Sequence, residues 1–203
     1  MCYEAFIKEC IHPFLKTKEY KKKKNTFYHT HSDGNVSIIN FQKSRKSEKD
    51  KTEFTINIAL LSFRIASFFG IQTDDFELDD CHWKTRIGHL LPEKHDIWWT
   101  IEPSTALNHL CSTIKDLLEQ CVFNAIAEIH SDNNLRDLWL GGKSPGLTNI
   151  QRLICLSVLI KKIGPQEKLP LIIEEMRAIS RGQTTEFTVA DHLAKLEDVK
   201  ADQ

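Results

Sequence analysis

Apolar positions along the chain first recur at helical spacing. Ala5, Phe6, Cys10, Ile11, Phe14 and Leu15 fall near a 3.6-residue period, which predicts a helix over 1–16 whose last turn is kinked or ended by Pro13. A charged connector covers 16–24. The period then drops to two. Residues 25–31 read as a strand, Ser32-Asp33-Gly34-Asn35 as a hairpin turn and 36–43 as the returning strand. A third strand over 52–61 alternates Phe54, Ile56, Ile58 and Leu60 with Thr55, Asn57 and Ala59. Residues 62–80 fit either an extension of the sheet or an excursion ending in the acidic loop 74–80. A short helix is expected over 83–91, closed by Pro92, and a fourth strand over 97–101.

The second half reads as helical. Leu107, Leu110, Ile114, Leu117, Cys121, Phe123, Ile126 and Ile129 mark the apolar side of a helix over 104–130, with Pro103 at its start. The break Gly141–Gly146 follows, then helices over 148–163, 167–180 and 188–196. The expected fold is therefore α+β: an antiparallel meander of about four strands, covered on one face by helices. Residues 1–140 form that domain, and 141–203 form a C-terminal helical extension packed on the same core.

Composition limits the partners. With 41 % hydrophobic and 27 % charged residues the chain can bury a full core. A net charge of −1 gives no global field to draw nucleic acid or membrane. The charge is uneven, however: +6 over 1–51, −8 over 52–140 and +1 over 141–203. The basic part comes from Lys21–Lys24 and from Lys43, Arg45, Lys46, Lys49 and Lys51. Six scattered cysteines without a CxxC pair read as reduced thiols, and Lys8, Glu9 and His12 interrupt any signal-peptide core, so a cytoplasmic location is expected. The apolar stretch 56–71 carries Asn57 and Arg64 and is too short to span a bilayer.

Chemistry is sparse. There is no GxSxG, and Gly142-Lys143-Ser144 lacks the upstream glycine of a phosphate loop, since position 137 is Asp. His29 and His31, and the group Cys81, His82, His89 and His95, have no metal-ligand spacing and read as packing or rim residues. No metal and no cofactor is expected. Alternation places Phe27, Ile39, Phe41, Phe54, Ile56 and Ile58 on the core face. Tyr28, Thr30, Asn40, Gln42, Thr55 and Asn57 fall on the other. Amides, a phenol and hydroxyls on adjacent strands can donate and accept in fixed geometry, which suits recognition of a partner; an ordinary solvated face is the bland alternative. Trp98 and Trp99 point to opposite faces, so one can serve as an interface anchor. Lys43 and Arg45, with Lys21–Lys24 and Tyr28 as a stacking platform, sketch a single-strand nucleic-acid surface, although the acidic remainder of the chain argues against it.

Asn25-Thr26-Phe27-Tyr28, Asn40-Phe41-Gln42-Lys43-Ser44, Phe54-Thr55-Ile56-Asn57-Ile58, Arg86-Ile87-Gly88 and Trp98-Trp99, in this order, resemble the bacterial family catalogued as domain of unknown function 4304. The resemblance covers roughly residues 5–130, and it implies no activity, cofactor or catalytic residue. The stretch 63–80 departs from the family pattern. The reading is a non-enzymatic binding module whose polar sheet face (Tyr28, Asn40, Gln42, Asn57, with Lys43, Arg45, Trp98 and Trp99) engages another protein, as in immunity or scaffold proteins, the last step by fold analogy. A nucleic-acid binder is the second reading. An enzyme assembled from distant residues is the third.

Overall fold

The computed structural model describes residues 3–201. Its sheet is antiparallel and six-stranded, and it follows the alternating segments of the sequence. Strands β2 (Thr26–Thr30), β3 (Val36–Lys43) and β4 (Thr52–Leu61) form the meander. The sheet exceeds the expected four strands because Lys21–Lys23, read as connector, is an edge strand, β1, paired to β2. Lysine suits that place, since its charge discourages other chains from pairing with an open strand edge. Trp83–Arg86 is strand β5, next to β4, where the spacing predicts a helix; only Ile87–Leu90 turns, as a 3-10 segment. Pairing with a neighbouring strand overrides the local period there. β6 (Trp99–Ile101) pairs with β4, Phe54 opposite Trp99 and Thr52 opposite Ile101. A Cβ on Gly88 would collide with the carbonyl oxygen of His95, so the chain passes this closely only over a glycine.

Helix α1 covers residues 3–17, as α-helical Tyr3–Ala5, π-helical Phe6–Ile11 and α-helical His12–Thr17. Pro13 does not end it. The π-turn shifts the bonding by one residue, so that His12 N–H reaches Ile7 O, and the helix absorbs the missing donor. Its apolar side covers the core face of the sheet. The rings of Tyr3 and Phe6 lie 5.6 and 5.5 Å from that of Phe54, and the Tyr3 hydroxyl donates to Phe41 O at 2.7 Å. Helix α3 covers residues 107–129, with a π-helical stretch at Leu118–Val122. It buries Ile114, Leu118 and Val122, and sets Phe123 6.2 Å from Phe14. Cys10 and Cys111, on α1 and α3, form a disulfide across a Cα separation of 6.1 Å. The expectation of reduced thiols therefore fails for this pair: the two helices lie side by side on one sheet face, and 101 residues of sequence separation hide that. Cys155 keeps its expected role as a buried hydrophobe, its thiol pushed up to about 12 by desolvation. Cys2 lies outside the described residues.

The chain clusters into two compact units that follow no single cut. The first comprises Met1–Ser32, Val36–Leu60 and Lys84–Glu128, and the second Asp33–Asn35, Leu61–Trp83 and Ile129–Gln203. In the second, the ambiguous stretch after β4 is helix α2 (Phe63–Phe69), capped by Ser62, whose hydroxyl accepts from Ile65 N–H, and closed by Gly70 at φ 72°. Helix α4 (Asp132–Leu140) begins at Ser131, which accepts from Asn134 N–H. Helix α5 (Asn149–Ile163), opened by a Thr148/Gln151 capping box, is the centre of this unit, buried from Arg152 to Ile160. Helices α6 (Leu169–Ser180) and α7 (Glu186–Glu197) add Met176 and Val189 to its core.

Two polar groups are sealed into the second unit. Asp132 accepts from Asn35 Nδ2 at 3.1 Å and pairs with Arg64 at 2.9 Å, while Asn35 Oδ1 accepts from Phe63 N–H at 2.8 Å. His192 Nε2 lies 2.8 Å from Ser157 Oγ. The Ser157 proton goes to Ile154 O, so Nε2 is the donor, and Nδ1 is buried without a partner. Protonation would place a charge at Nδ1 with nothing to receive it. Burial therefore lowers the imidazole to about 4, with Asp191 opposing and Lys195 reinforcing the shift. Because the fold holds His192 neutral, its contribution is complete above the unfolded value near 6.5 and is lost as pH falls from there to about 4. Stability measured by urea titration should drop by about 2–3 kcal/mol over that window from this group. The slope should flatten in His192→Phe; an equal slope in both proteins would assign the effect elsewhere.

Candidate functional site

On the face of the sheet turned away from α1, side-chain amides are joined across three strands. Asn57 of β4 donates both Nδ2 protons, to Asn40 Oδ1 at 3.1 Å and to Gln42 Oε1 at 2.8 Å, both on β3. Asn40 Nδ2 donates to Thr26 Oγ1 of β2 at 2.9 Å. The register explains the row: Thr26 sits opposite Asn40, and a period of two returns Gln42 to the same face. Each amide orients the next, so the face is a fixed array rather than a set of free rotors.

The sequence places this face in solvent along its length, and the structure restricts that. Ile38, Thr55 and Ala59 on it are fully buried, Thr55 Oγ1 lacks a partner, and Asn57 is only 8 % exposed. The accessible part is the end bearing Gln42, with Asn40 and Tyr28 half-buried. β1 adds what the sequence reading could not place. Lys21 stands opposite Tyr28 and Lys23 opposite Thr26, so two exposed lysines edge the amide row.

The tryptophans divide as alternation requires. The Trp99 ring lies tilted 5.6 Å from that of Phe54 on the core face. Trp98 is 37 % exposed, its Nε1 donates to Asp96 at 2.9 Å, and the Arg86 guanidinium lies 5.4 Å from its ring centre and pairs with Asp96 at 2.6 Å. Two neighbours, themselves paired, thus hold an exposed aromatic in one pose. Lys43 does not join the array: it projects to the α1 side, 3.1 Å from Glu4 and over the Tyr3 ring. Arg45 is exposed on the loop after β3, where Ser44 and Ser47 are occupied with backbone contacts at Lys46 and Glu53. His29 and His31 sit edge to face at 4.8 Å, and the Tyr20 ring lies 5.6 Å from His29.

Protonation is strongly displaced at Tyr3, Tyr20, Cys155 and His192. Burial raises both tyrosines, Tyr20 to about 12. None of these four lines three open pockets of the second unit, of which one, about 420 Å³, is bounded by Phe63, Arg64, Phe68 and Lys162. No described helix is long and apolar enough to cross a membrane.

A family model described as a domain of unknown function, DUF4304, matches residues 11–131, more than half of the chain. No curated protein and no solved structure matches.

Proposed function

The chain belongs to the DUF4304 family, and from its site we propose a binding module without catalytic chemistry of its own, whose partner is another protein. The hydrogen-bonded row Thr26–Asn40–Asn57–Gln42 carries this reading. A preorganised polar array loses little side-chain entropy on docking, and a pinned, exposed Trp98 supplies the aromatic anchor that dominates interface energetics. The cytoplasmic setting proposed from the sequence loses one support with the Cys10–Cys111 bond, and the reading does not depend on it.

The test is quantitative capture from the native host with the full chain as bait. Trp98→Ala should weaken retention of the genuine partner about 30-fold, as loss of a hot-spot aromatic does, and Gln42→Ala several-fold less. Equal recovery by the wild type and both variants would remove the face from consideration. A nucleic-acid partner is the second reading, favoured by the register that sets Lys21 beside Tyr28. It predicts affinity for single strands that falls steeply with salt.

A further inference from the structure

We propose that Cys10 and Cys111 form a redox-sensitive clamp, a bond that opens and closes by thiol–disulfide exchange while the first unit stays folded. Helix α1 is seated independently of the bond. Phe6, Ile7, Ile11 and Leu15 are at most 2 % exposed, and the Tyr3 hydroxyl is held by Phe41 O. On α3, Ile114, Leu118 and Val122 are fully buried. Beside the sulfurs, the seam between the helices is closed by Phe14 against Phe123 at 6.2 Å and by Lys18 to Glu119 at 2.8 Å. Burial of this extent keeps both helices docked when the sulfurs part. The reduced thiols therefore stay neighbours, near the Cα separation of 6.1 Å that a disulfide requires.

Position supplies access and selectivity. Cys10 and Cys111 are half-buried, within reach of a small thiol, whereas Cys81 and Cys155 are buried. Cys121, about 15 Å further along α3, remains a thiol. The exchange partner is a low-molecular-weight disulfide with its thiol, of the glutathione class. One protein thiolate attacks the small disulfide and expels a thiolate. The second attacks the protein sulfur of the mixed disulfide and expels the other. Two protein thiols become one bond, one small disulfide becomes two thiols, and the two protons leave with them. The surrounding ratio of thiol to disulfide thereby sets how firmly α1 is held.

The experiment equilibrates the full chain, without denaturant, in buffers of graded glutathione to glutathione disulfide ratio. Acid quenching, differential alkylation and peptide mapping report each cysteine, and circular dichroism of the same samples reports the fold. Cys10 and Cys111 should pass together from bonded to reduced, with one midpoint reached from either direction and the dichroism unchanged throughout. In the urea-unfolded chain the pair is 101 residues apart, and closing it should need about a thousandfold more oxidising ratio of disulfide to thiol squared. Cys121→Ser should leave the native midpoint in place. Reduction that occurs only in urea, loss of the dichroism signal with reduction, failure of the reduced chain to regain the bond, or equal midpoints in the folded and unfolded chains would each overturn the clamp.

Discussion

Replacing Cys10 and Cys111 together by serine should cost about 4 kcal/mol of stability. The bond closes a loop of roughly 100 residues, and the entropy it removes from the unfolded chain grows with the logarithm of that length. For a chain of this size the loss corresponds to about 10 °C in the unfolding midpoint. Urea titration with and without a phosphine reductant checks it: the wild type should shift and the double serine variant should not. Alkylation under denaturing conditions should leave two thiols, mapped to Cys10 and Cys111, unreactive until reduction. Coincident wild-type curves with and without reductant would show that no such bond supports the first unit. The cross-link joins α1 to α3, so its loss should be felt first in how α1 is held.

The second large effect is expected at Asp132. Its carboxylate is sealed in the second unit between Asn35 Nδ2 and the Arg64 guanidinium, at the first turn of α4, where a negative charge also meets the helix N-terminus favourably. Asp132→Ala should destabilise by about 3 kcal/mol, because Asn35 loses an acceptor and Arg64 a buried carboxylate partner. Asp132→Asn keeps an acceptor without the charge and should fall between. The exposed Asp116→Ala should stay within about 0.5 kcal/mol of wild type. The diagnostic variant is double. With Arg64→Met/Asp132→Leu both charges of the pair are gone, so it should be more stable than Asp132→Leu alone. Denaturant midpoints at constant slope measure all of these; a double variant worse than the single one would mean that the pair itself, not its completeness, sustains the unit.

How far the sequence could be read depends on whether a signal was local. The bounds of β3 and β4 follow from alternation, because a strand buried on one face must keep its period. Helix α5 followed from Thr148 and Gly164, its cap and stop. The amide row was legible in part: a period of two placed Asn40, Gln42 and Asn57 on one face, but not that Asn57 bonds to both others, nor that Thr55 is buried. That Lys43 sits apart from the amide row is illegible locally, because its contact, Glu4, is 39 positions away. The edge strand at Lys21–Lys23 was hidden since three lysines carry no hydrophobic pattern; only its neighbour supplies the pairing. Helix α4 has a cap signal, Ser131-Asp132, that the glycine-rich break at 141–146 overshadows. The disulfide had no signal at all, since closure of a 101-residue separation is a property of the folded topology.

The discontinuous second unit bears on how this family should be handled at the bench. The matched stretch, 11–131, starts one residue after Cys10 and stops one residue before Asp132. A fragment trimmed to those limits would carry Cys111 without its mate, and Asn35 and Arg64 without the carboxylate that both bind. It would also remove His192 of α7, against which the rings of Phe68 and Phe69 lie. The boundary drawn by sequence similarity is thus not a boundary of foldability. Aggregation of such a fragment would report a severed core and say nothing about the whole chain, and relatives compared only within those limits would hide which of them keep the second half of each pair.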